Sequence, residues 1–311
     1  MVNADLRRRL NDKEYKNWLK ASQCLFILTK GLHLYTSQQM EGFHKDLLAH
    51  SSQLGRTCET NACRGNQLSS ACGPCSEWKK EIMAHQRQPQ GSLCWVNCSP
   101  PSWRTDFWEV AKAYMPRGQR KVKGADQCDA SALLRLIYSC DRFESVNQKY
   151  VTEVIHYRNE IMHSSVGRIM DEWMSGYQTT LKHFVQQFSN VPQMGKVGQE
   201  IDEALTVDWK ITASDLEKLD IAGGRVCGFS HQLEANIKFF SQWEAELLQE
   251  KLQELLHTDD EDAETQVTKQ LEWLGDFLQA NSDLDEMFSE KIQAIHSLRE
   301  KRARSPEAAG Q

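Results

Sequence analysis

The stretch of this chain with the most chemical potential is residues 158–163, whose polar members include Arg158, Asn159 and His163. An arginine can hold a phosphate through its planar fork of donors, and a histidine can exchange a proton near neutral pH. Apolar residues around the stretch recur every three or four positions, which predicts an amphipathic helix over residues 149–165. The sequence therefore places an anion binder and a proton carrier on one helix.

Arg158 falls in the middle of the apolar stripe of that helix, between Ile155 and Ile161, when each residue turns the helix by about 100°. A guanidinium that leaves water without a partner loses much hydration free energy, so it needs an anion, a partner or a water-filled interface. Two interpretations stay open. The arginine meets a functional anion, or it pairs with a buried carboxylate or carbonyl group for structural reasons.

The motif of an arginine, a polar residue and then a histidine five positions after the arginine resembles that of catalytic members of the higher eukaryote and prokaryote nucleotide-binding (HEPN) superfamily. The run from Asp129 to Ile137 is similar to a helix that precedes the motif in its DZIP3-like branch. The resemblance implies an all-α, HEPN-like helical bundle and metal-independent endoribonucleolytic cleavage of RNA. It also implies that Arg158 holds the phosphate, that His163 acts as general base or acid, and that Asn159 orients the histidine.

Most of residues 8–190 are also similar to an uncharacterised vertebrate family, the chromosome X open reading frame thirty-eight family. This resemblance brings no known activity with it. The residues that carry it are Glu14-Tyr15-Lys16-Asn17-Trp18, Cys72 and Cys75 with Glu77-Trp78-Lys79, the run from Trp108 to Gly118, and the motif helix.

A single helix cannot easily aim Arg158 and His163 at one phosphate, because about 7.5 Å of rise and about 140° of rotation separate them. In two copies that face each other across a two-fold axis, each copy can contribute its Arg158 and His163 to one common cleft. We therefore expect a homodimer with a composite site, and RNA as its ligand or substrate. The alternative is a catalytically silent helical scaffold that mediates protein–protein interaction, because a fold does not fix a function.

Six of the ten cysteines lie between residues 58 and 98, in a stretch rich in glycine, serine and proline. Cys72-Gly73-Pro74-Cys75 matches the letters of a thioredoxin redox centre. The residues before it form no hydrophobic strand, so we reject that interpretation.

A structural zinc knuckle fits the spacing better, because a gap of two residues lets both thiolates bind one ion. We predict Cys72, Cys75, Cys94 and Cys98 as the ligands, with Cys58 and Cys63 as alternative ligands. Four thiolates leave no open coordination position, so the ion would be structural. The other interpretation is a loop of reduced thiols without a metal.

The net charge of −6 provides no global field that attracts nucleic acid, so such binding needs a local patch. The candidates are the loop with Arg117, Arg120, Lys121 and Lys123 and the N-terminal run Arg7-Arg8-Arg9, and charge clusters of this size are usually solvated loops. We find no apolar run of transmembrane length and no signal-peptide core, which predicts an intracellular protein, cytoplasmic or nuclear.

Helical spacing without strand-like alternation predicts an all-α chain. We expect a HEPN-like domain over residues 1–192 with a cysteine-rich insertion at 51–102. A linker with a short helix follows at 193–228. A C-terminal hairpin or short coiled coil over 229–302 offers helices to protein partners, and a disordered tail occupies 303–311.

Overall fold

The structure is a computed structural model that describes residues 2–88, 91–163, 168–212, 230–256 and 264–303. Within these ranges the regular structure is helical and no β-strand occurs, which confirms the all-α class. The α-helices are α1 (Val2–Asn11), α2 (Lys13–His50), α3 (Gly73–Ala84), α4 (Phe107–Ala111), α5 (Ala130–Ser139), α6 (Gln148–His163), α7 (Asp171–Gln186), α8 (Pro192–Thr206), α9 (Ser230–Leu256), α10 (Glu264–Gln279) and α11 (Ser282–Ala303).

The chain forms two compact units that are not consecutive segments. The first unit comprises Met1–Gln23, Glu160–Met174 and Thr206–Gln311, and the second comprises Cys24–Asn159 and Ser175–Leu205. No helix of the described residues is long and apolar enough to cross a membrane.

In the first unit, α10 and α11 pack against each other, and α9 packs against α10. The two helices of the pair are separated by a short turn, at which Asn281 donates its side-chain Nδ2 to the carbonyl of Phe277 at 2.8 Å. The buried turn residue satisfies a carbonyl that the end of α10 would otherwise leave without a helical partner. Residues 304–311, most of the predicted tail, lie outside the described residues.

A buried ionic network ties α1 to the C-terminal helices of the first unit. Arg9 donates to both carboxylate oxygens of Glu244, with an Nη2–Oε2 distance of 2.9 Å. It also donates to Asn281 Oδ1 at 2.8 Å and to Asp283 Oδ2 at 2.6 Å. The hydroxyl of Tyr15 donates to the same Glu244 at 2.5 Å. Burial, followed by the charge of Glu244, raises the pKa of Tyr15 well above its usual value.

In the second unit, the core is built around α5, whose Leu133, Leu136 and Ile137 are fully buried. Asp129 begins this helix, since its carboxylate accepts a hydrogen bond from the amide of Ala132 at 2.8 Å. An aspartate at this position satisfies an amide that the helix itself cannot pair. The cap therefore fixes the position of the Asp129 side chain at the start of α5.

In the second unit, the part of α2 from Cys24 onward approaches α8 closely at a glycine. A Cβ atom at Gly31 would lie 2.4 Å from Cγ2 of Val197, so the approach needs a residue without a side chain. Helix α8 lies in the predicted linker of residues 193–228 and extends the short helix expected there. The linker residues 213–228 lie outside the described residues.

Candidate metal centre and the Arg158 site

Four cysteine sulfurs come together in the second unit. The Sγ atoms of Cys58, Cys63, Cys72 and Cys75 all lie within 4.8 Å of one another. The Cys63–Cys72 and Cys72–Cys58 sulfur distances are both 3.7 Å. A tetrahedral ion with metal–sulfur bonds of about 2.3 Å places its thiolates about 3.8 Å apart. The sulfur spacing is thus that of a four-thiolate metal site, and it is too long for disulfides.

The start of α3 and the loop before it position these sulfurs. Cys72 is the N-cap of the helix, Pro74 occupies its first turn, and Cys75 follows there. The amide of Cys72 donates to Sγ of Cys63 at 3.5 Å. The loop turns at Asn61, whose φ of 49° lies in the left-handed region that asparagine tolerates. Local helix and turn chemistry therefore gathers the four thiols before any ion is considered.

The electrostatics of the cluster favour a cation. Burial opposes ionisation of Cys58, but hydrogen bonds from the Thr60 amide and from neighbouring thiols outweigh it and lower the pKa of Cys58 to about 6. Burial and the same sulfur neighbours raise the pKa of Cys75. Cys58 thus loses its proton more readily than an ordinary thiol, and Cys75 less readily. A divalent cation would favour the thiolate form of both, and soft sulfur ligands in a tetrahedron suit zinc.

The structure does not bring Cys94 and Cys98 into this group. They flank the short 3₁₀-helix Trp95–Asn97, and Cys98 is buried there. Burial, followed by the charge of Glu109, raises the pKa of Cys98. Of the predicted ligand set, the structure therefore gathers Cys72 and Cys75, with the alternative ligands Cys58 and Cys63 in place of the other pair. The turn formed by Thr60 and Asn61 between Cys58 and Cys63 was the signal that could have favoured them.

Arg158 lies on α6 and is 3% exposed, in agreement with its place on the apolar stripe. Its Nη2 lies 3.6 Å from Oδ2 of Asp129, and its Nη1 donates to Oδ1 of Asn159 at 3.4 Å. The Asp129 side chain is 40% exposed and also caps α5. The guanidinium thus faces a carboxylate of its own unit, which corresponds to the structural interpretation that the sequence left open.

The third predicted catalytic residue, His163, is the last residue of α6. Its side chain lies outside the described residues. Asn159 is exposed and lies beside Arg158. The structure therefore brings Arg158 and Asn159 together with Asp129, a residue that the sequence did not identify as a partner of the arginine.

The described site can be compared with known proteins. The profile of a family described as "Domain of unknown function (DUF4559)" matches residues 9–307. The chain is 39% identical over 305 residues to the "Uncharacterized protein CXorf38 homolog" of Mus musculus, across 96% of this chain and 93% of that protein. No solved structure matches. The similarity to the chromosome X open reading frame family is confirmed, and the chain belongs to the DUF4559 family.

Proposed function

We propose that this chain is a catalytically silent helical scaffold in which one structural zinc ion binds Cys58, Cys63, Cys72 and Cys75. The observation that carries the proposal is the convergence of these four sulfurs within 4.8 Å. Four thiolates complete the tetrahedral shell of zinc, so no position remains for a substrate or a reactive water. The ion would stabilise the fold and would take no part in turnover.

The segment between α2 and α3 is the part of the second unit that would benefit from such an ion. Its regular structure is limited to the short 3₁₀-helix Gly65–Ser70, and its buried apolar side chains include Leu54 and Leu68. Zinc binding to cysteine-rich segments supplies about 10–16 kcal/mol near neutral pH. That free energy can order a segment whose own core is too small to order it.

The scaffold is favoured over RNA cleavage by the environment of Arg158. Cleavage at a composite, HEPN-like dimer site requires that Arg158, Asn159 and His163 act on one phosphate. Arg158 is buried and already contacts Asp129, so it would have to exchange this carboxylate for the phosphate. A guanidinium that stays paired with this internal carboxylate is not available to a phosphate.

Incubation of the purified, zinc-loaded protein with mixed RNA, in a buffer without added divalent metal, tests the choice between the two functions. We expect no cleavage by the protein or by its Arg158→Ala and His163→Ala variants, and Arg158→Ala should lower the free energy of unfolding. Cleavage that disappears in both variants, with dimerisation unchanged, would replace the scaffold by a metal-independent ribonuclease.

Zinc content, measured by atomic emission on the full chain, tests the metal site. We expect one zinc per chain, and loss of most of it in Cys63→Ser. Cys94→Ser is the matched control, because Cys94 lies in the same cysteine-rich region but outside the cluster. Equal zinc loss in the two variants would contradict the ligand set, and a folded protein without zinc would remove the site.

A further inference from the structure

A second site lies beside the metal centre, in a pocket of about 420 Å³ in the second unit. We propose that it binds a compact anion that carries two or more phosphate groups. Four parts of the chain line the pocket, namely residues 63–66, residues 96–99, Glu109, and the loop with Arg117, Arg120 and Lys123. The cationic side chains among its lining residues are Arg64, Arg117, Arg120 and Lys123.

The charge of the pocket is the main argument for an anion. All four cationic side chains are exposed residues, and none has an ion-pair partner among the residues that the structure describes. Glu109 also lines the pocket, but it is buried, lies 2.5 Å from Nζ of Lys112 and accepts the amide of Ser99 at 2.7 Å. Four unpaired cations thus converge in a chain whose net charge is −6. Because water and salt screen exposed charges, these cations are stable without a ligand, but together they produce a positive potential that attracts an anion into the pocket.

Buried polar groups fix the backbone of residues 116–123, which contain Arg117, Arg120 and Lys123 and are called the basic loop. Nζ of Lys112 donates to the carbonyls of Arg120 at 3.1 Å and of Val122 at 3.3 Å. Nδ2 of Asn97 donates to the carbonyl of Pro116 at 2.8 Å, and its Oδ1 accepts the amide of Gln119 at 3.1 Å. Because the loop is held before a ligand arrives, binding loses less conformational entropy.

The fourth cationic side chain, that of Arg64, lies next to the proposed metal centre. Arg64 directly follows Cys63, a member of the sulfur cluster, and Gly65 then packs against the neighbouring segment. A Cβ atom at Gly65 would lie 1.8 Å from the carbonyl oxygen of Trp95, so the two backbones are in close contact. Only the placement of Arg64 rests on the proposed zinc ion, since the other three cations belong to the basic loop.

The chemistry of the lining favours phosphate groups over other anions. Arginine matches two phosphate oxygens at once, and lysine adds a point charge. A volume of about 420 Å³ falls within the range of about 300–1,000 Å³ typical of small-ligand pockets. A long nucleic acid needs a basic surface that extends beyond one pocket, and the acidic net charge of the chain does not provide one. A compact polyphosphate fits the volume of the pocket and matches the arginine and lysine side chains that line it.

Calorimetric titration of the full-length, metal-loaded protein with inorganic tripolyphosphate tests the site. We expect saturable binding, and weaker binding of orthophosphate. Arg120→Gln and Lys123→Gln should each lower the affinity for tripolyphosphate roughly 10-fold, because each removes a charge-assisted contact. The matched control is Lys121→Gln. Lys121 is exposed in the same 3₁₀-helix as Arg120 but does not line the pocket, so the affinity should change little in about 0.15 M salt.

The outcomes separate the pocket from the metal. Equal losses in Lys121→Gln and Arg120→Gln would indicate diffuse attraction and overturn the site, as would binding of a 5′-hydroxyl RNA oligonucleotide without binding of tripolyphosphate. A protein with one zinc that binds no tripolyphosphate overturns the pocket and leaves the zinc proposal intact. Binding by a folded, zinc-free protein, with Arg64→Gln as the variant that has no effect, supports a pocket of three cations and overturns the zinc proposal.

Discussion

Each of the two units buries an arginine, and the two arginines differ in the carboxylates that they meet. Arg9 is 5% exposed, and the side chain of its partner Glu244 is 1% exposed. Arg158 is 3% exposed, whereas the side chain of its partner Asp129 is 40% exposed. Burial of an arginine is therefore a poor sign of catalysis by itself. The exposure and distance of the carboxylate decide how firmly the chain holds the guanidinium.

The Arg9 network should show the largest effect on stability. Glu244→Ala leaves a buried guanidinium short of its bidentate partner, which costs about 3–5 kcal/mol of unfolding free energy. Urea unfolding, followed by tryptophan fluorescence and circular dichroism, measures this loss. Glu246→Ala is the matched control, since Glu246 is exposed two residues further along α9. Similar losses in the two variants would show that the network does not hold the first unit together.

The same network makes a prediction for alkaline pH. Burial, followed by the charge of Glu244, raises the pKa of Tyr15, so the folded state keeps a proton that the unfolded state loses near pH 10. The resulting stability is complete below about pH 10 and declines above it, by about 1.4 kcal/mol per pH unit for one tyrosine.

Unfolding free energies at several pH values above 10 measure this decline. Tyr15→Phe removes the titrating group and should make the pH dependence shallower. Tyr114 and Tyr177, whose pKa values burial also raises, should account for a similar decline in the second unit. If Tyr15→Phe is as sensitive to pH as the unchanged protein, the tyrosine does not stay protonated in the folded first unit.

The Arg158 pair should contribute less than the Arg9 network. Asp129→Ala removes the helix cap and the carboxylate together and should cost about 1–2 kcal/mol. Asp129→Asn keeps a good cap and removes only the charge. It should cost less than the alanine variant, because water screens a carboxylate that is 40% exposed. Thermal unfolding of the two variants separates the contribution of the helix cap from that of the charge. A loss for asparagine as large as that for alanine would show that the charge of Asp129, and not its helix cap, provides the stability.

Some features of the two arginine sites could be predicted from the sequence, and others could not. Spacing placed Arg158 on a burying helix face, because the apolar stripe is a property of a few neighbouring residues. The pairing of Arg9 with Glu244 spans 235 residues, and no local pattern encodes it. The contact between Arg158 and Asp129 likewise depends on how α5 and α6 pack.

The grouping of the cysteines was likewise only partly predictable from the sequence. A two-residue gap identified Cys72 and Cys75 as a pair, because both sulfurs lie at one helix start. The second pair depended on which loop returns to that helix start, and several cysteines had suitable spacing. The preceding loop supplies Cys58 and Cys63, whereas Cys94 and Cys98 flank the 3₁₀-helix Trp95–Asn97 that follows α3. Tertiary contacts therefore decide which four sulfurs cluster, and spacing alone does not.

The smallest effect is expected where an ion pair lies on the surface of the first unit. Lys13 donates to Asp171, and both side chains are well exposed. The hydrogen bond from Lys13, followed by that from Asn17, lowers the pKa of Asp171, so any stability from this carboxylate is present above its unfolded pKa and is lost as the pH falls. At neutral pH, Lys13→Gln should leave the Tm unchanged within error, because water and salt screen exposed charges. If Lys13→Gln lowered the Tm as much as Glu244→Ala does, burial would not be what makes an ion pair of this chain strong.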